Sequence, residues 1–215
     1  MVGYGLAGEV ATLTLDDGKA NALSLAMAQG IAAGLNRAAA EAKVVVIRGR
    51  PGVLCGGFDL KVIRSGDAAA RSAMVEAGMA LLERLYLLPQ PLVIACTGHA
   101  VAAGGLMLLA GDVRIGVEGD FRLGLNETAI GLSLPGFGVE LARERLLPTV
   151  LTEATLLARL YAPADAAQVG YLDRAVAVEA FDGAVAEAAA GLLRLDGAAF
   201  AATKRRLREG SLARK

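Results

Sequence analysis

Apolar and polar positions alternate along residues 9–16, with Val10, Leu13 and Leu15 set against Thr12 and Thr14. This two-residue period predicts a half-buried strand. After the turn DDGK at 16–19, an Ala-rich stretch predicts a long helix over 24–42. The continuous β-branched run at 43–48 predicts a strand buried on both faces. A Gly/Pro loop spans 49–57 and a helical turn starts over 58–63. A second long helix covers 68–88, stopped by Pro89 and Pro91. Residues 91–96 read as another buried strand ending near Gly98, followed by a helix over 104–110 that starts at about Ala103, and a strand over 112–117. The segment 137–167 reads as mainly helical, broken at Pro148 and Pro163. A short strand at 174–178 and helices at 180–195 and 198–209 close the chain. Strands alternating with helices give an α/β class. With no repeat, linker or low-complexity tract, one domain over 1–215 is the simplest organisation.

The run 85–111 carries no formal charge and is long enough to raise a membrane span. Pro89, Pro91, Gly98, Gly104 and Gly105 cut it into short elements, so it reads as buried core. The 22 basic residues balance 22 acidic ones, which leaves no electrostatic footprint for nucleic acid or an anionic membrane. The N-terminus lacks a basic segment followed by an apolar one, so no signal peptide is expected. The two cysteines, Cys55 and Cys96, lie in apolar runs without metal-ligand spacing, so no metal is expected and a reducing cytoplasm is the default. A mean hydropathy of +0.50 suggests apolar surface covered by subunit contacts.

Three segments carry chemistry. LGLNETAIG at 123–131 sets a lone carboxylate, Glu127, at a Gly-bounded turn in apolar sequence. Desolvation raises the pKa of such a group, and a carboxylic acid tuned that way exchanges a proton with carbon. The competing reading has Asn126 capping a short helix with Glu127 in its first turn. VLCGGFDL at 53–60 is a strand exit whose small residues free backbone N–H groups, with Asp59 as an alternative helix cap. ACTGHAVAAGGLMLLAGD at 95–112 leads into a helix of small residues whose first amides lack intrahelical partners. Its glycines do not form a dinucleotide fingerprint. His99, the only histidine, reads as a packed or loop residue. The basic tail Lys204–Arg208 reads as a solvated helix face, with attraction of phosphates as the alternative.

Together with KANAL at 19–23, these segments resemble the crotonase superfamily of enoyl-CoA hydratases and isomerases, in order, from about residue 9 to 206. The resemblance implies a spiral of ββα turns closed by C-terminal helices. It also implies a coenzyme A thioester substrate with no separate cofactor, and a homotrimer or a dimer of trimers. By position, the N–H groups of Cys55 and Ala103 would form an oxyanion hole. Lys19, Ala20, Ala22, Phe58, Asp59 and Leu60 would border the coenzyme A, and Glu127 falls on the second catalytic glutamate. Family hydratases carry a further glutamate where this chain has Leu106. Hydration needs a water held by two carboxylates, whereas shifting a 3-enoyl to a 2-enoyl thioester needs one base. Leu106 therefore favours an isomerase, with a hydratase as the alternative and a catalytically weak acyl-CoA binder as a third reading. Glu76 or Glu83 could replace the missing group, though both fit a solvated helix face. Ala102-Ala103-Gly104 departs from the family's consecutive glycines; an alanine keeps the donor geometry where φ is negative. The chain also lacks the further C-terminal helices usual in the family, so coenzyme A contacts from that region would be missing or supplied differently.

Overall fold

In the computed structural model, which describes residues 1–212, three successive turns of chain each give one strand to a large sheet and the next to a small one. β1 (Val2–Ala7) and β2 (Val10–Leu15) form an antiparallel hairpin, and α1 (Leu25–Glu41) follows, capped by the Ser24 side chain on Met27 N. Met27, Ile31, Leu35 and Ala38 make its buried stripe at helical spacing. Then come β3 (Val44–Gly49), β4 (Gly52–Cys55), α2 (Leu60–Arg64) and α3 (Ala68–Tyr86). The next turn is β5 (Leu92–Cys96), β6 (Gly98–Val101) and α4 (Ala103–Ala110). It is followed by β7 (Val113–Val117), β8 (Leu123–Gly124), a 3-10 turn at Thr128–Ile130 and α5 (Gly136–Arg145). The rest is a 3-10 turn at Pro148–Val150, α6 (Leu151–Thr155), α7 (Pro163–Val169), β9 (Arg174–Val176), α8 (Val178–Leu193) and α9 (Gly197–Leu212).

The large sheet runs β1-β2-β3-β5-β7-β9, and the small one β4-β6-β8. Every pairing except β1–β2 is parallel. Val45, Ile47, Leu92 and Ile94 face the main core with α1, α3 and α4. Val44, Val46, Val93 and Ile115 face a second core with Phe181, Val185 and Ala189 of α8. That double coverage is why β3 and β5 read as unbroken apolar runs.

Several expectations need correction. The span 49–57 is not all loop, because it contains β4. A strand, β6, also intervenes between Gly98 and the helix at Ala103. Both hold four residues and exist through pairing with each other, too short for a periodicity to show. β1 escapes the pattern because Gly3 and Gly5 leave gaps on a largely exposed strand. Within 137–167, Pro163 opens α7 rather than breaking a helix, as suits a residue without an N–H to donate. The tail is not simply a solvated face. Lys204 and Arg208 are buried on α9 and both pair with Asp112. Among the described residues no helix is long and apolar enough to cross a membrane.

Candidate functional site

The three strands of the small sheet run parallel, so the chain leaves all of them at one edge. The segments that follow Cys55, Val101 and Gly124 therefore converge, a natural place for a ligand beyond the carboxyl ends of parallel strands. Helix α4 starts in that junction at very close range. A Cβ on Gly104 would stand 2.1 Å from the Cys55 carbonyl oxygen, and one on Gly105 would stand 2.7 Å from that of Gly124. Only glycine lets the first turn of α4 lie on the ends of β4 and β8. Ala102 N donates to Gly124 O at 2.9 Å, tying the same corner.

Ala102 takes φ 53° and ψ −118°, a conformation that costs an L-residue roughly 1–3 kcal/mol. Negative φ holds for Ala103, inside α4, and fails for its neighbour. As the first residue of α4, Ala103 has an N–H with no intrahelical acceptor at the positive end of the helix.

The junction opens into a cavity of about 750 Å³. Gly56, Gly57 and Ala102 border it from the strand ends; Phe58, Leu60, Ile63 and Val75 from α2, α3 and the loop before them; Leu106 from α4. Ile130, Leu132 and Pro135 close the far side beside Glu127. Glu127 is only 7% exposed, and its Oε2 has no hydrogen-bond partner. Burial pushes its pKa above the ordinary 4.5, and the neighbouring amides of Glu127 and Asn126 offset this only in part. The capping reading does not hold. Glu127 itself precedes the 3-10 turn without a side-chain cap bond, and Asn126 Oδ1 is buried without a partner.

Leu106 is fully buried and lines the cavity. Glu76 lines it too, as an exposed residue bonded by Ser72 Oγ at 2.7 Å. Glu83 lies further along α3, off the cavity lining. His99 points elsewhere: it is exposed, accepts from Arg122 N at 3.1 Å and stacks edge-on against Phe121. Burial pushes the Cys55 thiol up to about 11, so it stays protonated and is no nucleophile.

Of the remaining predicted residues, Phe58 and Leu60 line the cavity, while Asp59 caps α2 by accepting from Lys61 N at 2.9 Å. Lys19, Ala20 and Ala22 form an adjoining rim. Gly56 N donates to Ala20 O at 2.8 Å and Leu23 N to Gly57 O at 2.7 Å, which holds the rim against the Gly-Gly loop. Two residues that shape this rim went unnoticed in the sequence. Asn21, fully buried at φ 51°, donates its side-chain N–H groups to Leu15 O and Leu54 O at 2.8 and 3.2 Å. Asp17 accepts from the amides of Lys19, Asn21 and Ala22. Desolvation opposes its ionisation, but those bonds prevail and hold its pKa below the usual value. An Asp four residues before an Asn in a Gly-containing turn was the available signal. No cluster of metal-ligating side chains occurs among the described residues.

A parallel two-sheet spiral with an acid-bearing cavity at the small sheet's edge defines the crotonase class. A family model described as enoyl-CoA hydratase/isomerase matches residues 6–214, and the chain belongs to that family. A protein of Rhodobacter capsulatus named probable enoyl-CoA hydratase is 32% identical over 96% of this chain and 80% of its own length. The crystal structure of an enoyl-CoA hydratase/isomerase family protein from Pseudomonas syringae superposes with a TM-score of 0.95 at 40% identity, covering 99% of this chain and 92% of that one. Human mitochondrial Δ3-Δ2-enoyl-CoA isomerase gives a TM-score of 0.95 at 27% identity, over 99% of this chain and 85% of its own.

Proposed function

We propose that this protein moves the double bond of a 3-enoyl-CoA to the 2-position, with Glu127 as the single acid/base. One observation carries the reading. Glu127 is buried in the cavity with a free oxygen, and the first turn of α4 presents Leu106 to the same cavity rather than a second carboxylate. Coenzyme A enters as part of the substrate, along Lys19, Ala20, Ala22, Phe58, Asp59 and Leu60. The thioester oxygen sits between the N–H groups of Cys55 and Ala103. Ionised Glu127 removes a proton from C2, and the electron pair moves onto the thioester oxygen as an enolate. The two amides stabilise that charge, more strongly in a desolvated site than in water. As the enolate collapses, the C3–C4 double bond shifts to C2–C3 and Glu127 returns the proton at C4. Its raised pKa suits both halves of this exchange. The exposed Leu147, Leu156 and Leu157 offer apolar surface for the contacts of a homotrimer or dimer of trimers, in the cytoplasm.

The second reading is hydration of a 2-enoyl-CoA. Glu76 on the same cavity favours it, as a carboxylate that could help hold a water. To separate the two, each enoyl-CoA is supplied alone and conjugated and hydrated products are followed. Fast isomerisation is expected, with hydration slower by about 10²-fold, the lower end of what a missing acid/base group costs. Hydration faster than isomerisation would overturn the proposal. Tight binding with no turnover of either substrate would favour a binding protein.

A further inference from the structure

The proposed double-bond shift uses Glu127 and the strand ends and leaves the α3 wall of the cavity without a role. That wall is polar: Arg71, Ser72 and Glu76 line the cavity beside Val75. Arg71, Val75 and Gly78 recur at helical spacing and so share one face of α3. Gly78 fixes where that face looks. A Cβ there would stand 2.4 Å from Phe58 Cε1, so the helix rests on the Phe58 ring, itself part of the cavity lining. Arg71 stands two turns nearer the start of α3, about 10 Å along the axis from this contact. Among the described residues it is the one cation on the lining, and its guanidinium has no hydrogen bond or ion pair there. The neighbouring acids of the same helix are engaged elsewhere. Asp67 Oδ1 accepts from Ala70 N at 2.9 Å as the helix cap, and Glu76 Oε1 accepts from Ser72 Oγ at 2.7 Å. Leu60, Ile63, Ala68 and Val75 make the nearby lining apolar.

We propose that Arg71 selects acyl chains that end in a carboxylate, so that the substrate is a 3-enoyl-CoA with a second carboxyl group at its far end. The inference rests on the acyl-CoA reading of this cavity. A planar guanidinium binds a carboxylate through two parallel hydrogen bonds. Taking a charged chain end out of water is costly unless a partner meets it, and on this lining Arg71 is that partner. Apolar side chains followed by a lone cation suit methylenes that lead to a charged end, whereas a methyl end would leave the cation facing hydrocarbon. Because Arg71 holds a fixed place along α3, the preference should depend on chain length. The phosphates of coenzyme A are the other anions that the substrate brings, and the test separates them from the acyl carboxylate.

The test measures binding rather than turnover, by calorimetry with saturated acyl-CoAs of matched length that end in a carboxylate or a methyl group. Across a series of lengths, the parent should bind the carboxyl-ended ligand about tenfold more tightly at the best one, the lower end for a hydrogen bond to a charged group. Arg71→Gln should abolish the preference and Arg71→Glu reverse it. Both replace an exposed side chain, and circular dichroism checks that the fold holds. Glu76→Gln removes a like charge from the same wall and should strengthen the preference. A parent without preference at any length overturns the inference, as does a preference that survives Arg71→Gln. Equal weakening of both ligands by Arg71→Gln would place the guanidinium on a coenzyme A phosphate and overturn it too. The ligands do not react, so the result stands apart from the role of Glu127. Binding of neither ligand would instead overturn the acyl-CoA reading of the cavity, and this inference with it.

Discussion

Half-buried Asp112, its side chain 10% exposed, and buried Glu127 are both shielded carboxylates, and their surroundings are opposite. Asp112 Oδ2 accepts from Lys204 Nζ at 2.7 Å and Leu92 N at 2.8 Å, and its Oδ1 faces Arg208 at 2.8 Å. Every oxygen is occupied, and the group clamps α9 to the start of β5. Glu127 sits in a cavity with one oxygen free and a pKa pushed up by burial. A buried charge with partners serves the fold; a buried acid without them is an energetic cost that a reaction explains. Charge and burial alone would have ranked the two alike.

The largest effect that tests this contrast is Glu127→Gln, expected to lower isomerase kcat by roughly 10²–10⁴-fold with the fold intact, by steady-state assay and circular dichroism. The matching change on the other side, Asp112→Ala, leaves Lys204 and Arg208 buried without their carboxylate. It should cost about 3–5 kcal/mol in urea unfolding while the folded fraction keeps its kcat. If Asp112→Ala destroyed activity without loss of stability, the division of roles would be wrong.

A smaller effect lies in pH dependence. Because the folded protein holds the Glu127 proton more tightly than the unfolded chain, the folded state binds more protons above pH 4.5. The Glu127 contribution to stability is therefore lost as pH rises from there through its raised pKa. Glu127→Gln should remove that decline, seen by comparing melting temperatures across the range. Smallest is Ala102→Gly. Relief of the positive φ should stabilise the fold by about 1 kcal/mol in denaturant titration, with activity retained.

Five of the six strands of the large sheet and the long helices were legible because burial on two faces and a capped helix stripe write themselves into local composition, as in Val44–Gly49 and Leu25–Glu41. The small sheet was not. β8 has two residues, and β4 and β6 owe their form to partners more than forty positions apart, such as Gly52 and Gly98. Glu127 stood out as an acid among apolar neighbours, and Leu106 as its missing companion. That Asn126 leaves its oxygen unpaired, or that Lys204 and Arg208 meet Asp112, depends on packing between distant segments. Helical spacing brings that lysine and arginine to one face but does not reveal what the face meets.

The central claim is that one shielded carboxyl carries the proton from C2 to C4. The direct measurement uses 3-enoyl-CoA deuterated at C2, in ordinary water, with the first-turnover product examined for label. A solitary buried Glu127 predicts deuterium at C4 in a substantial fraction of the 2-enoyl product. Product with no deuterium at C4 would contradict it, and would mean that two groups, or water, handle the proton.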